Sequence, residues 1–160
     1  MLLWFIGTSW VLVAVVFQSP ALDYRMVMLG SVLPLLDGVT GGAGVLHALL
    51  FSVLLLAVVM LATRHRRLAR RRWLGLPIGT FVHLVLCGVW ATSVVFWWPF
   101  LGASFDGAAL PEIDRGAWSL VLDLCGVGVS WWGVRRFGLT SPAARRRFVR
   151  TGHLPRQAVG

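Results

Sequence analysis

The chain has 160 residues, 58% of them apolar, and its mean hydropathy of +0.78 exceeds that of ordinary soluble domains. All fifteen basic residues are arginine, and thirteen fall in two clusters, at 64–72 and 135–156, away from the six acidic residues. Such charge blocks between apolar runs are typical of a polytopic membrane protein. The net charge of +9 would also suit nucleic-acid binding. Because the positive-inside rule already accounts for the arginines, no nucleic-acid partner is expected.

Four apolar runs predict helices that cross a bilayer. The first, Leu2 to Phe17, is short, but it lacks the positively charged start of a signal peptide and is interpreted as an anchor. The second, Gly44 to Ala62, covers about 28 Å at about 1.5 Å per residue. The third runs from Leu74 to Trp98 and the fourth from Ala117 to Val134. A backbone in lipid must satisfy its own hydrogen bonds, so residues 1–134 are predicted to form an all-α bundle of about four transmembrane helices.

The arginine clusters predict an orientation. They follow the second and the fourth span, so placing both in the cytoplasm also places both termini there and leaves segments 18–43 and 99–116 outside. The prediction is a multi-pass protein of the plasma (inner) membrane with both termini cytoplasmic. The tail, 135–160, is predicted to be disordered. Its arginines and those of the 64–72 loop would bind anionic head groups of membrane lipids at about 1 kcal/mol per arginine.

Residues 24–37, YRMVMLGSVLPLLD, are apolar but interrupted by Gly30 and Pro34. They are too short for a full span and predict a re-entrant or interfacial helix, which would bring Asp37 to the outer mouth of the bundle. The glycine-rich segment 38–44 that follows has no Lys-Ser/Thr pair of a phosphate-binding loop. A nucleotide site therefore has little support.

Polar side chains in apolar runs are costly, so each is a candidate functional residue. Asp37, His47, His83 and Asp123 qualify, and Cys87 joins them because it lies four residues after His83, on the same helix face. An Asp and two His, with the Cys87 thiolate as a further donor, form a ligand set that zinc or a similar divalent ion accepts. The metal would act as a Lewis acid and lower the pKa of bound water to about 7.

Each candidate also has a structural interpretation. A lone His is more often a hydrogen-bonded packing residue, Asp37 suits a turn or cap, and Asp123 suits a partner of Arg115 or of a backbone group. The two cysteines, Cys87 and Cys125, form no CxxC pair and are predicted to be buried thiols rather than a disulfide.

Helix length raises a difficulty for a shared metal. If both spans were straight and began at the inner boundary, His47 would lie about 25 Å from Arg64 and His83 about 15 Å from Trp73. The two rings would then differ in depth by roughly 10 Å, whereas a metal needs ligand atoms about 2 Å away. Helix tilt, a helical start to the third span within the arginine run, or the reach of the side chains would close this gap.

Four motifs in order, GSVLPLLDG, VLHALL, LGLPIGTFVHLVLCGVW and VFWWPF, resemble the successive signatures of the membrane-bound metal-dependent hydrolase family. That family includes the LexA-binding inner-membrane hydrolases and has an actinobacterial branch. The resemblance runs from about Phe17 to Gly102. It implies hydrolysis of an ester or phosphoester with metal-activated water, with Asp37, His47 and His83 in ligand positions.

The chain departs from the family pattern at four positions. Leu35 and Cys87 replace aspartates, and histidines are missing near Phe5 and Gly42. Two outcomes stay open: Cys87 completes a softer site that favours zinc, or the protein is a catalytically inactive relative that acts as a membrane scaffold or partner-binding protein. A small transporter, suggested by Asp123, is the least favoured alternative because the chain shows no inverted repeat.

Overall fold

The structure is a computed structural model that describes residues 1–40, 44–91, 93–102 and 116–155. Over these ranges it is all-helical and contains no strand, as the sequence predicts. The α-helices, in chain order, are α1 Leu2–Phe17, α2 Tyr24–Val32, α3 Leu49–Ala62, α4 Arg67–Trp73, α5 Gly75–Cys87, α6 Ser93–Phe96, α7 Trp118–Arg136 and α8 Pro142–Thr151. The 3-10 helices are Leu33–Thr40, Val45–His47 and Val89–Ala91.

Two of the four predicted spans match single helices, and the other two are interrupted. The first coincides with α1, and the fourth differs from α7 by one or two residues at each end. The second is divided between the 3-10 turn Val45–His47 and α3. The third ends early, because Gly88 adopts a left-handed conformation with φ 79° that terminates α5. Across the described ranges, no helix combines the length and the apolarity needed to cross a membrane.

Helices α1 and α7 run side by side in the same direction. At their starts, the backbone N–H of Trp4 donates to Oδ1 of Asp123 over 3.0 Å. Further along, Trp10 in the middle of α1 packs against Phe137, just beyond the end of α7, with ring centroids 5.9 Å apart. We call the end with Trp4 the distal end and the opposite end, which holds α4 and α8, the arginine-rich end.

Helix α2 crosses the bundle in the opposite direction. The backbone N–H of Tyr24 donates to the carbonyl of Gly152 over 2.9 Å at the arginine-rich end, whereas Ser31 Oγ lies 3.2 Å from the carbonyl oxygen of Phe5 near the distal end. The short re-entrant or interfacial helix predicted over 24–37 is thus a helix that runs between the two ends of the bundle. The same contacts place Met1 and α8 at opposite ends.

Glycines bring α2 and α5 into close contact. On α5, Gly75 and Gly79 form a G-x-x-x-G pair that faces α2. A Cβ atom on Gly79 would overlap the carbonyl of Val27, and one on Gly30 of α2 would overlap the carbonyl of Leu76. Small residues at this spacing let two helix backbones approach closely. This packing along α5 explains why α2 traverses the bundle.

The tail that was predicted to be disordered contains α8. Ser141 caps the helix by accepting a hydrogen bond from the N–H of Ala144 over 3.2 Å, and Pro142 follows at the first helical position. Gly152, with φ 72°, ends it. Leu154 is then buried in the core at the arginine-rich end. The prediction of disorder was therefore wrong for this part; residues 156–160 lie outside the described ranges.

Candidate metal centre

Three of the predicted site residues converge at the distal end. His47 closes the 3-10 turn before α3, and His83 and Cys87 lie one turn apart on α5. One ligand atom from each lies within 4.8 Å of the other two. All three residues are fully buried, with 0% exposure. The face shared by His83 and Cys87, predicted from spacing, thus meets a histidine from a separate segment.

The expected difference in depth is absent because the third span begins earlier than Trp73. Helix α4 starts at Arg67 and leads into α5 through Leu74, which has αR geometry. His83 therefore lies about 24 Å along the chain from Arg67, close to the roughly 25 Å between His47 and the arginine run. The two imidazole rings meet edge to face with centroids 5.3 Å apart.

Asp37 orients the His47 ring. Its Oδ2 lies 2.9 Å from Nδ1 of His47 and also accepts from the backbone N–H groups of His47 and Gly44, each over 3.2 Å. A carboxylate oxygen accepts, so Nδ1 donates and the ring carries its lone pair on Nε2. Metal-ligating histidines have this arrangement, in which a carboxylate fixes the tautomer. These contacts are those of an orienting group, and the role of Asp37 as a direct ligand stays a prediction.

Contacts from α1 and α2 orient the His83 ring. Its Nδ1 donates to the carbonyl of Ser31 over 2.6 Å, which again leaves the lone pair on Nε2. The ring stacks on Phe5 with centroids 4.0 Å apart and an interplanar angle of 28°. Sequence reasoning missed Ser31, since no residue type marks a backbone carbonyl as an acceptor. It had singled out Phe5 only as the place of a missing histidine.

Cys87 carries a buried thiol, and its Sγ donates to the carbonyl of Leu84 over 3.4 Å. It lies in an apolar cluster with Phe5, Leu84, Val89 and Val95. The prediction of a buried thiol is confirmed for Cys87. It is wrong for Cys125, which lies on an exposed face of α7.

Asp123 does not join this cluster. Besides the N–H of Trp4, it binds the N-terminal ammonium of Met1 over 3.0 Å at the start of α7. Its pairing with a backbone group, one of the two structural interpretations, is therefore what the structure shows. The other proposed partner, Arg115, lies outside the described residues.

Two positions where the chain departs from the family pattern lie against the cluster. Phe5 stacks on His83, and Leu35 packs against the apolar residues around Cys87. Apolar side chains thus lie beside the candidate ligands at the two positions where the resembled family has a histidine and an aspartate. Gly42, the fourth departure, lies outside the described ranges.

The donor set fits a divalent metal such as zinc. Two imidazoles with Nε2 lone pairs and one thiol are donors that zinc accepts. In a tetrahedral zinc site, bonds of about 2.0–2.3 Å place neighbouring ligand atoms roughly 3.5 Å apart. The widest separation here is within 4.8 Å, so a contraction of roughly 1.3 Å or less would complete such a site.

Comparisons with known protein families, curated proteins and solved structures find no match to this chain. The described residues themselves form a buried His47–His83–Cys87 cluster that can hold a metal ion.

Proposed function

We propose that the protein is a multi-pass plasma-membrane protein whose His47–His83–Cys87 cluster binds zinc and hydrolyses an ester or phosphoester with metal-activated water. The observation that carries this proposal is the convergence of two oriented histidines and a thiol from separate segments at one buried point. Three protein ligands leave one position of a tetrahedral zinc open, which is the arrangement of catalytic zinc sites.

The outward faces of the helices support a membrane location. Val58 and Leu61 of α3 are 60% and 68% exposed, and Leu124 of α7 is 72% exposed. Soluble monomers rarely expose contiguous apolar patches larger than a few hundred Å². The arginines of α4 and α8 at one end favour a cytoplasmic position for that end. In this orientation α8 is cytoplasmic and Met1 lies towards the other side of the membrane.

The surrounding residues would keep the two ligand nitrogens aligned. Asp37 and the carbonyl of Ser31 each hold an Nδ1–H, so neither ring can rotate without losing a hydrogen bond. Phe5 and Leu84, both 0% exposed, exclude bulk water from the Cys87 side. When bound, zinc polarises a carbonyl or phosphoryl oxygen and lowers the pKa of a coordinated water to about 7.

An apolar groove supports a lipid-like substrate. A cavity of about 390 Å³ lies between α1, α3 and α5. Its lining includes Phe17, Leu49, two residues after His47, and Val82, directly before His83. The apolar lining suits the acyl chain of an ester or phosphoester substrate.

The complete burial of the donors favours a second function. With all three at 0% exposure, a bound metal would also serve to fasten the start of α3 to α5. Such a site stabilises a fold without turning over a substrate. This is the scaffold or partner-binding function that the lost family ligands imply.

Hydrolysis by the purified protein separates the two functions. The zinc-loaded protein in detergent is assayed with p-nitrophenyl octanoate and bis(p-nitrophenyl) phosphate. We expect turnover by the wild type and by His65→Ala, which removes an exposed histidine in the arginine run, but not by His83→Ala. Stoichiometric zinc with no turnover would leave only the structural role. Equal turnover by the wild type and His83→Ala would contradict catalysis by the cluster.

A further inference from the structure

A second cavity, of about 540 Å³, lies at the arginine-rich end. Three helices that are distant in sequence, α2, α4 and α8, contribute to its wall. The basic residues that line it are Arg25, Arg71, Arg72, Arg147, Arg150 and His153. The two arginine clusters of the sequence therefore meet in one concave surface, which spacing along the chain does not reveal.

The positive charge of this cavity is only partly balanced. The one acidic residue in its described lining is Asp23, which is 1% exposed. Its carboxylate accepts from Arg25 Nη2 over 2.8 Å and lies 3.7 Å from Arg72 Nε. A single carboxylate thus faces five arginines, and it is already paired with Arg25 and Arg72. The excess charge belongs to the arginines of α4 and α8.

Hydrogen bonds to backbone carbonyls hold helix α8 in place. Arg25 Nη1 donates to the carbonyls of Val149 and Arg150, each over 2.9 Å, and so caps the end of α8. His153 Nδ1 donates to the carbonyl of Leu22 over 3.1 Å. These bonds fix α8 against the start of α2, so that Arg147 and Arg150 face the arginines of α4 across a preformed cavity.

We infer that this cavity binds the phosphate group of an anionic phospholipid at the cytoplasmic surface. Guanidinium groups bind phosphate oxygens in pairs, and several in one concavity provide a site of matching charge. The lining also has apolar residues: Leu68, which is 82% exposed, Pro20, Ala21 and Leu154. Apolar groups beside a basic pocket favour an amphiphile over a free anion. The inference rests on the membrane location proposed above and not on the metal.

Lipid binding by the full chain tests this site. The detergent-solubilised protein is titrated with phosphatidylglycerol, phosphatidylcholine and inorganic phosphate, and bound species are counted by native mass spectrometry. We expect preferential retention of phosphatidylglycerol, weakened at least tenfold by the double substitution Arg71→Gln with Arg150→Gln. The matched control, Arg67→Gln with Arg145→Gln, removes the same charge from the same two helices outside the cavity and should change binding less than twofold.

Several results would overturn the inference. Equal losses in the two double variants would show a diffuse effect of charge. Saturable binding of inorganic phosphate without any lipid preference would indicate a soluble anion instead, and absence of phosphatidylglycerol binding would remove the site.

If Arg71→Gln with Arg150→Gln does not fold, Arg71→Lys with Arg150→Lys replaces it. That pair keeps the charge, loses the paired donors and should weaken binding severalfold, whereas unchanged binding would contradict the site. Zinc content, which depends on the other end of the bundle, separates failure here from failure of the metal centre.

Discussion

Nδ1 of His47 donates a hydrogen bond to Oδ2 of Asp37 over 2.9 Å, and this bond orients the His47 ring within the His47–His83–Cys87 cluster. It explains why an aspartate ten residues before the histidine lies beside the three converging donors. It also leaves the lone pair of the His47 ring on Nε2, the nitrogen that would bind the proposed metal.

Replacing Asp37 by Asn should weaken zinc binding while the protein stays folded. The amide keeps the shape of the side chain but not the charge that holds the imidazole, and the loss of such an orienting partner typically costs about 10–100-fold in metal affinity. Titration with a zinc-buffered indicator measures it. Asp123→Asn, at the start of α7, is the control and should bind zinc like the wild type. An unchanged affinity in Asp37→Asn would remove Asp37 from the site.

Exchanging the thiol should change the choice of metal. Cys87→Asp supplies a hard oxygen donor at the position where the resembled family has an aspartate, so we expect selectivity to move from zinc towards manganese. Cys87→Ser should bind zinc weakly, and Cys125→Ser, on the exposed face of α7, should leave both metals unaffected. Competition of the two ions, followed by elemental analysis, gives the ratio. The same zinc-to-manganese ratio in all four proteins would mean that Cys87 does not ligate.

Adding a methyl group at Gly79 should destabilise the bundle. Its Cβ would overlap the carbonyl of Val27, so α2 and α5 would have to separate, at a cost of about 1–3 kcal/mol. Thermal unfolding in detergent provides the measurement. Gly128→Ala on α7 is a matched control, because a Cβ there meets no atom within 4 Å. Equal stability of the two variants would contradict the close packing of α2 on α5.

Two buried serines should respond in opposite ways to replacement by alanine. Ser52 Oγ has no hydrogen-bond partner among the described residues, and burying such a group costs about 1–3 kcal/mol, so Ser52→Ala should stabilise the protein. Ser31 Oγ donates to the carbonyl of Met28 over 2.8 Å and accepts from Ser9 over 3.1 Å. Ser31→Ala should therefore lower the unfolding temperature. A loss of stability in Ser52→Ala would show that its hydroxyl is engaged.

Much of the fold could be predicted because apolar runs are a strong signal. The boundaries of α1 follow directly from the run Leu2 to Phe17, and helical spacing alone places His83 and Cys87 on one face. Hydropathy could not predict α8, because its arginines make the segment polar and leave no apolar run. Local signals were nevertheless present: Ser141 and Pro142 at its start and Gly152 at its end are ordinary helix boundaries.

The way the helices pack around the site was harder to predict. The start of α4 at Arg67 decides the depth of His83, but a helix start inside a run of arginines leaves no hydrophobic boundary to detect. The crossing by α2 depends on Gly75 and Gly79 meeting its backbone, and a G-x-x-x-G pair identifies a packing face without naming the partner helix. Hydrogen bonds to a backbone carbonyl, such as that of Ser31, have no sequence signature.

Metal content of the purified protein tests the central claim most directly. The wild type, reconstituted with zinc and freed of excess ion, should contain one zinc per chain, and so should the double variant His65→Ala with Cys125→Ser, which removes a histidine and a thiol outside the cluster. His47→Ala, His83→Ala and Cys87→Ala should each lose the ion while keeping their helical content. Zinc absent from the folded wild type, or retained in all three cluster variants, would contradict a metal centre at His47, His83 and Cys87.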